Sequence, residues 1–200
     1  MRLVHFVTHP EVRIDPAIAV TQWSLSDTGR TRMQAFAAWP RLRRAHRLFC
    51  STEAKAVEAA QVLQRSLGLS AIPDAALGEN DRSATGFLHK AAFEQAADEF
   101  FAQPTHSFRG WERAVDAQRR IVGAVERLLR DADDDNDSGD VVIVSHGAVG
   151  TLLKCHLKGC AITRAEDQPA QGHAFSFEAR TRRLVQDWRR LEDVAADTPA

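Results

Sequence analysis

Two histidines stand where the chain could do chemistry. His9 follows the apolar run Leu3-Val4-His5-Phe6-Val7 and Thr8 and precedes Pro10; His146 follows Val141-Val142-Ile143-Val144 and Ser145 and precedes Gly147. A neutral imidazole can attack phosphorus and a protonated one can stabilise an oxyanion, so two in one pocket could divide those tasks. A third segment of similar build, His46 to Cys50, runs into Ser51-Thr52-Glu53. In an open α/β sheet ligands bind beyond the carboxyl ends of the strands, which is where all three turns would lie.

The elements that must position these turns read as alternating strands and helices. Residues 3 to 7 and 141 to 144 are nearly unbroken apolar runs, the pattern of strands buried on both faces of a parallel sheet. Pro10 and Asp15-Pro16 make residues 10 to 25 a loop that carries Arg13, and Ser26 or Asp27 caps a helix with Met33 and Phe36 inward and Arg30 and Arg32 outward. A helix after Ser51 places Ala56, Ala59, Ala60, Leu63 and Leu67 on one stripe and ends at Gly68, ahead of a short strand near Ser70 to Ile72. The polar stretch Gly78 to Gly86 reads as a surface loop, followed by a helix bearing Phe93, Ala96, Ala97, Phe100 and Phe101 that could act as a lid. A long amphipathic helix is expected from about Trp111 to Leu129, a helix through Val149, Leu152 and Leu153 after His146, and two terminal strands at 172–178 and 183–188.

Composition narrows the function classes. A 200-residue chain with 44% hydrophobic residues can bury a sizeable core, so one domain over residues 1–193 is expected, with 78–110 as an inserted lid and acid-loop region and 194–200 as a disordered tail. Net charge of −1 supplies no basic field for nucleic acid or an anionic membrane, and the short first apolar run is no signal or membrane segment. A cytoplasmic protein with three buried thiols at Cys50, Cys155 and Cys160 is the expectation. Six aspartates between Asp131 and Asp140 read as a solvated connection rather than a calcium loop, and Cys155-His156 with Cys160 lacks a second ligand pair for zinc.

With these residues in place, the chain resembles the histidine phosphatase superfamily, the phosphoglycerate mutase-like proteins, whose first strand ends in Arg-His-Gly and whose late strand ends in Ser-His-Gly. Ser145-His146-Gly147 matches the late motif in full. The family's Leu-Thr-x-x-Gly helix start corresponds to Leu25-Ser26-Asp27-Thr28-Gly29, and its Ser-Ser-Pro-Leu-x-Arg-Ala segment to Cys50-Ser51-Thr52-Glu53-Ala54-Lys55-Ala56. The resemblance spans residues 2 to about 180. It implies a three-layer α/β/α sandwich with a mostly parallel sheet and a phosphatase that hydrolyses phosphate monoesters through a phosphohistidine at His9. It also implies that His146 supports the transferring group and that Glu79 is the proton donor, with Asp81 as its rival. No metal or cofactor is needed, and the partner is a small phosphate ester or phosphate anion; the oligomeric state stays open.

The departures concern positive charge. Thr8 stands where the pattern has arginine, Pro10 where it has glycine, and Lys55 where it has a second arginine. Lysine keeps the charge but loses the bidentate fork, and threonine offers a neutral hydroxyl, so the pocket of Thr8, Ser51, Lys55 and Gly147 is short of cationic donors. Arg13 and Arg82 are the expected compensating residues, with Arg109 as a further candidate and His173 as a possible pocket group. A weakly active or non-catalytic phospho-ligand binder is the alternative, and a phosphomutase a lesser one because mutases carry longer insertions around the acid loop.

Overall fold

The computed structural model describes residues 1–133 and 139–196. Six strands form one sheet in the order β3-β2-β4-β1-β5-β6, with β1 Leu3–Thr8, β2 Ala45–Cys50, β3 Ala71–Pro73, β4 Asp140–Ser145, β5 His173–Glu178 and β6 Leu184–Arg190. Strands β3, β2, β4 and β1 run parallel, while β5 pairs antiparallel with both β1 and β6. Every residue of β1 and β4 is buried, as a strand covered on both faces requires.

Alternation along the strands builds the two covering layers. Val4, Phe6, Val141, Ile143, Phe175 and Phe177 face one cluster with Phe100, Ile121, Val125, Leu152 and Trp111, contributed by α3 (Lys90–Ala102), α4 (Ala114–Asp133), α5 (Gly147–Lys158) and the turn before α4. Val7, Val142, Val144 and Leu48 face the other, with Met33, Phe36, Ala60, Leu63 and Val194 from α1 (Asp27–Ala37), α2 (Ala54–Leu67) and α6 (Leu191–Ala195). The result is a three-layer α/β/α sandwich. Ser26 caps α1 by accepting a hydrogen bond from the Gly29 amide, and Gly68 closes α2 with a left-handed φ of 68°.

Several local expectations change. The long helix begins at Ala114 rather than Trp111, because Arg109 (φ 46°) and Gly110 (φ 83°) are successive left-handed residues that cannot continue into a helix. Arg32 is not on an outer face: its guanidinium joins Glu11, Glu192 and the carbonyls of Gln171 and Gly172, stapling α1 to the start of α6. The chain is helical through Ala195 with Val194 fully buried, so the expected tail from 194 is corrected there, and 197–200 lie outside the described residues. Cys50 and Cys155 are buried but Cys160 is exposed. Within the acidic stretch, residues 134–138 lie outside the described residues, and Asp140 is the opposite of solvated: it is fully buried at the start of β4. There it accepts from the Leu3 amide at 2.8 Å and Arg41 at 2.6 Å, with the His5 Nε2 at 3.4 Å.

The register sets up the site. Thr8 pairs with Ser145 and Cys50 with Val144, so β1, β4 and β2 end level with one another. Pairing continues one residue further, from the His9 amide to the Ser145 carbonyl at 3.2 Å and from the Ser51 amide to the Val144 carbonyl at 2.9 Å. His9, His146 and Ser51 therefore follow three adjacent strand ends, about 5 Å apart from strand to strand.

Candidate active site

The two imidazoles meet, with ring centroids 5.2 Å apart and planes inclined at 68°. His9 Nδ1 lies 2.9 Å from the Pro10 carbonyl oxygen. A carbonyl can only accept, so Nδ1 carries the proton and Nε2 keeps its lone pair. Burial, and then the positive charge of Lys55, lower the His9 pKa from 6.5 to about 4. The ring is thus neutral near pH 7, with a free nitrogen base. His146, wholly buried, has its Nε2 2.8 Å from Ser51 Oγ and 3.4 Å from Glu53 Oε1, while its Nδ1 has no hydrogen-bond partner among the described residues. Burial and then the neighbouring His9 hold its pKa well below the ordinary value.

Glu79 reaches the same place from the loop after β3. Its Oε1 accepts from the Asn80 amide of its own loop and the Val149 amide, each at 3.1 Å, and its Oε2 from the Ala148 amide at 3.3 Å, the last two in the first turn of α5. Burial nevertheless dominates and raises its pKa, the Arg82 charge opposing and the Glu53 charge adding to the rise. A carboxyl held more easily protonated than usual against the helix turn that follows His146 can give and take a proton. Asp81, the rival, is exposed; its carboxylate accepts from the Ser83 amide at 2.8 Å, which pulls its pKa down. It caps a surface turn and lies outside this cluster.

Positive charge comes from Lys55, Arg82 and Arg120. Lys55, buried in the first turn of α2, donates to the Val20 carbonyl at 2.9 Å and to Glu53 Oε2. Arg82 stacks over Phe93 and Trp111, 5.1 and 5.7 Å from the ring centroids, and its charge acts on His9, His146 and Glu79. Arg120, which sequence reasoning passed over, donates to the Ala76, Gly78 and Glu79 carbonyls and pairs with Glu112, clamping the acid loop onto α4. Arg13 is exposed beside the bridge between Val12 and Leu25, and Arg109 is exposed and stacks on Phe108 at 5.2 Å; neither joins the cluster. His173, buried at the start of β5, lies among the charges of Arg32 and Arg190.

Glu53 is another residue of the cluster that sequence reasoning missed. Read as an ordinary acid of a helix start, it instead spans the pocket, accepting the Glu79 amide at 2.8 Å with one oxygen and Lys55 with the other. A carboxylate two positions before a lysine on a strand-to-helix turn was the only available signal. Thr8 also differs from expectation: its hydroxyl accepts from the His173 amide at 3.0 Å and donates to Gln168 Oε1 at 2.7 Å, which leaves it no proton for a ligand. Among the described residues no group of three or more His, Cys, Asp or Glu could hold a metal ion, and no helix is long and apolar enough to cross a membrane.

Comparison with known proteins agrees with this architecture. The family model described as histidine phosphatase superfamily (branch 1) matches residues 13–188. The chain belongs to the histidine phosphatase superfamily. The matched span begins just beyond His9, so the Thr8-His9-Pro10 turn rests on the geometry above. A search of curated proteins found no match. Among solved structures, a mycobacterial glucosyl-3-phosphoglycerate phosphatase in complex with inorganic phosphate is 20% identical, with a TM-score of 0.78 over 96% of this chain and 99% of that one. YhfR of Bacillus stearothermophilus is 19% identical, with a TM-score of 0.75 over 93% and 95%. A mutant phosphoserine phosphatase from Entamoeba histolytica in complex with phosphoserine is 17% identical, with a TM-score of 0.69 over 96% and 98%. What this chain shares with these three structures is the three-layer α/β/α fold.

Proposed function

We propose that this superfamily member is a phosphatase that hydrolyses a small phosphate monoester through a phosphohistidine on His9. The observation that carries the reading is the His9 Nδ1 contact with the Pro10 carbonyl, which leaves Nε2 unprotonated and beside His146. In the first step the Nε2 lone pair forms the nitrogen–phosphorus bond as the ester oxygen–phosphorus bond breaks. The leaving oxygen takes the proton of the Glu79 carboxyl and departs as the alcohol. The Pro10 carbonyl stabilises the positive charge that grows on the imidazole, as an acceptor held against Nδ1–H from the outset.

In the second step water attacks phosphorus, the Glu79 carboxylate accepts its proton, the nitrogen–phosphorus bond breaks and inorganic phosphate leaves. Glu79 ends protonated and His9 neutral, as both began. Lys55 and Arg82 offset the charge of the equatorial oxygens, the neutral His146 donates a hydrogen bond to one of them, and Glu53 keeps Lys55 and the Glu79 loop aligned. The reaction routes no step through a metal. Supporting the hydrolase reading is the resemblance to phosphatases with bound phosphate or phosphoserine.

The test is turnover of a panel of phosphate monoesters by wild type and His9→Ala. Hydrolysis that falls by several orders of magnitude in the variant is expected. Undiminished hydrolysis in the variant removes His9 from the mechanism, and a wild type that binds phosphate but turns over no ester favours a phospho-ligand binding module.

A further inference from the structure

The residue before the proposed nucleophile is a neutral threonine whose only proton is used within the protein, so a donor for the phosphoryl oxygens on that side has to come from elsewhere. Gln168, on the loop between α5 and β5, lies at the right place. Thr8 Oγ1 accepts from the His173 amide at 3.0 Å, and its own proton goes to the nearest acceptor, Gln168 Oε1 at 2.7 Å, rather than to the His173 carbonyl at 3.2 Å. With the amide oxygen turned to Thr8, the Nε2 end lies against Gly147: a Cβ built on that glycine would come within 2.4 Å of it. The carboxamide therefore spans the residue before His9 and the residue after His146. Its two N–H groups have no acceptor among the described residues.

The loop that carries it is held from both ends. Asp167 Oδ1 accepts from the Thr151 hydroxyl of α5 at 2.7 Å and from the Gln168 amide at 2.8 Å, and the Gly172 amide donates to the His9 carbonyl at 3.1 Å. An amide side chain held this way between the residues that adjoin the two histidines loses little freedom when it binds. A Cβ at position 147 would push the flexible end of the carboxamide out of this position.

We propose that Gln168 is a phosphoryl-binding residue that donates from Nε2 to an oxygen of the transferring group, with Thr8 as the positioning residue that fixes its orientation. This rests on the phosphatase reading for its catalytic meaning, but its binding content can be tested separately. The assignment explains how a pocket with Thr8 in place of a cation completes its ring of donors: Lys55 and Arg82 supply charge and Gln168 a neutral fork.

The experiment measures the Kd of inorganic phosphate by titration calorimetry, and kcat and KM for p-nitrophenyl phosphate, in the full chain. The proteins are wild type, Gln168→Ala, Gln168→Glu, Thr8→Val and the Thr8→Val/Gln168→Ala double variant, each checked by thermal unfolding. Losing one hydrogen bond to a charged group predicts about tenfold weaker phosphate binding in Gln168→Ala, and more in Gln168→Glu, where a carboxylate faces the anion. Thr8→Val should weaken binding by a smaller factor and add nothing in the Gln168→Ala background, the non-additivity expected of residues acting through one another. A merely structural Gln168 would lower unfolding temperature without a selective loss of phosphate affinity. Phosphate affinity within twofold of wild type in both Gln168 variants overturns the inference even if His9-dependent turnover stands. The expected losses in a wild type that hydrolyses no ester uphold the inference and overturn the phosphatase reading, and a wild type that binds no phosphate overturns both.

Discussion

Acid should uncouple His9 from the fold in a way that can be measured. Its pKa falls from 6.5 to about 4 on folding, through burial first and the Lys55 charge second, and this displacement corresponds to roughly 3 kcal/mol in favour of the neutral ring. The unfolded chain takes up the proton first as pH drops. Between pH 6.5 and 4 it binds more protons than the native state, so the contribution is fully present above pH 6.5, declines across that window and is gone below about pH 4. His146 and His5 are also depressed and act in the same direction, so the His9 part must be isolated. Asn at position 9 keeps an N–H for the Pro10 carbonyl but cannot titrate. The difference in urea unfolding free energy between wild type and His9→Asn should shift by about 3 kcal/mol against wild type between pH 7 and 4. Long-range nitrogen-15 NMR of the imidazole should show midpoint protonation near pH 4. A midpoint near 6.5, or a difference constant with pH, would refute the reasoning and with it the claim that the nucleophile is kept neutral by burial.

Three other expectations follow from the same geometry. Asp140→Ala strips the partner from Arg41, His5 and the Leu3 amide around a fully buried position, so chemical denaturation should show a loss on the order of 3–5 kcal/mol, and an unchanged midpoint would show the network to be dispensable. Gly150→Ala puts a Cβ 2.7 Å from the Phe6 ring and 2.9 Å from Trp188, which should lower stability by about 1–3 kcal/mol in thermal unfolding while inactivation without destabilisation would argue otherwise. Glu79→Gln should lower kcat roughly 10²- to 10⁴-fold for alkyl phosphates and less for p-nitrophenyl phosphate, whose leaving group needs little protonation; equal losses on both would deny Glu79 the acid role.

What could be read from the chain follows from how local each determinant is. His9 and His146 stand out because each ends a run of residues buried on both faces, and their meeting then depends only on β1 and β4 being neighbours, which the register supplies. Ser26 and Gly68 were equally legible, since a cap and a left-handed terminus act within four residues. Contacts made across the chain were not. Gln168 meets Thr8 over 160 positions, Arg32 meets Glu192 over the same span, and nothing near either residue distinguishes it from a surface side chain. Asp140 looked like the last member of an acidic connection because it ends a stretch rich in aspartate; sheet register, invisible locally, turns it toward His5 and Arg41. Proximity in sequence to the two strand-end turns likewise did not show that Arg13 leaves on an exposed loop or that Arg82 stacks over Phe93.

The central claim is a covalent phosphoryl group on His9, and trapping it is the most direct measurement. Wild type mixed with a turned-over monoester and quenched in denaturing base should carry one acid-labile, base-stable phosphoryl group. Peptide mass spectrometry should place it on His9, with Glu79→Gln altering its accumulation and His9→Ala abolishing it. A label on another residue, or rapid hydrolysis by His9→Ala with no label at all, would contradict the account.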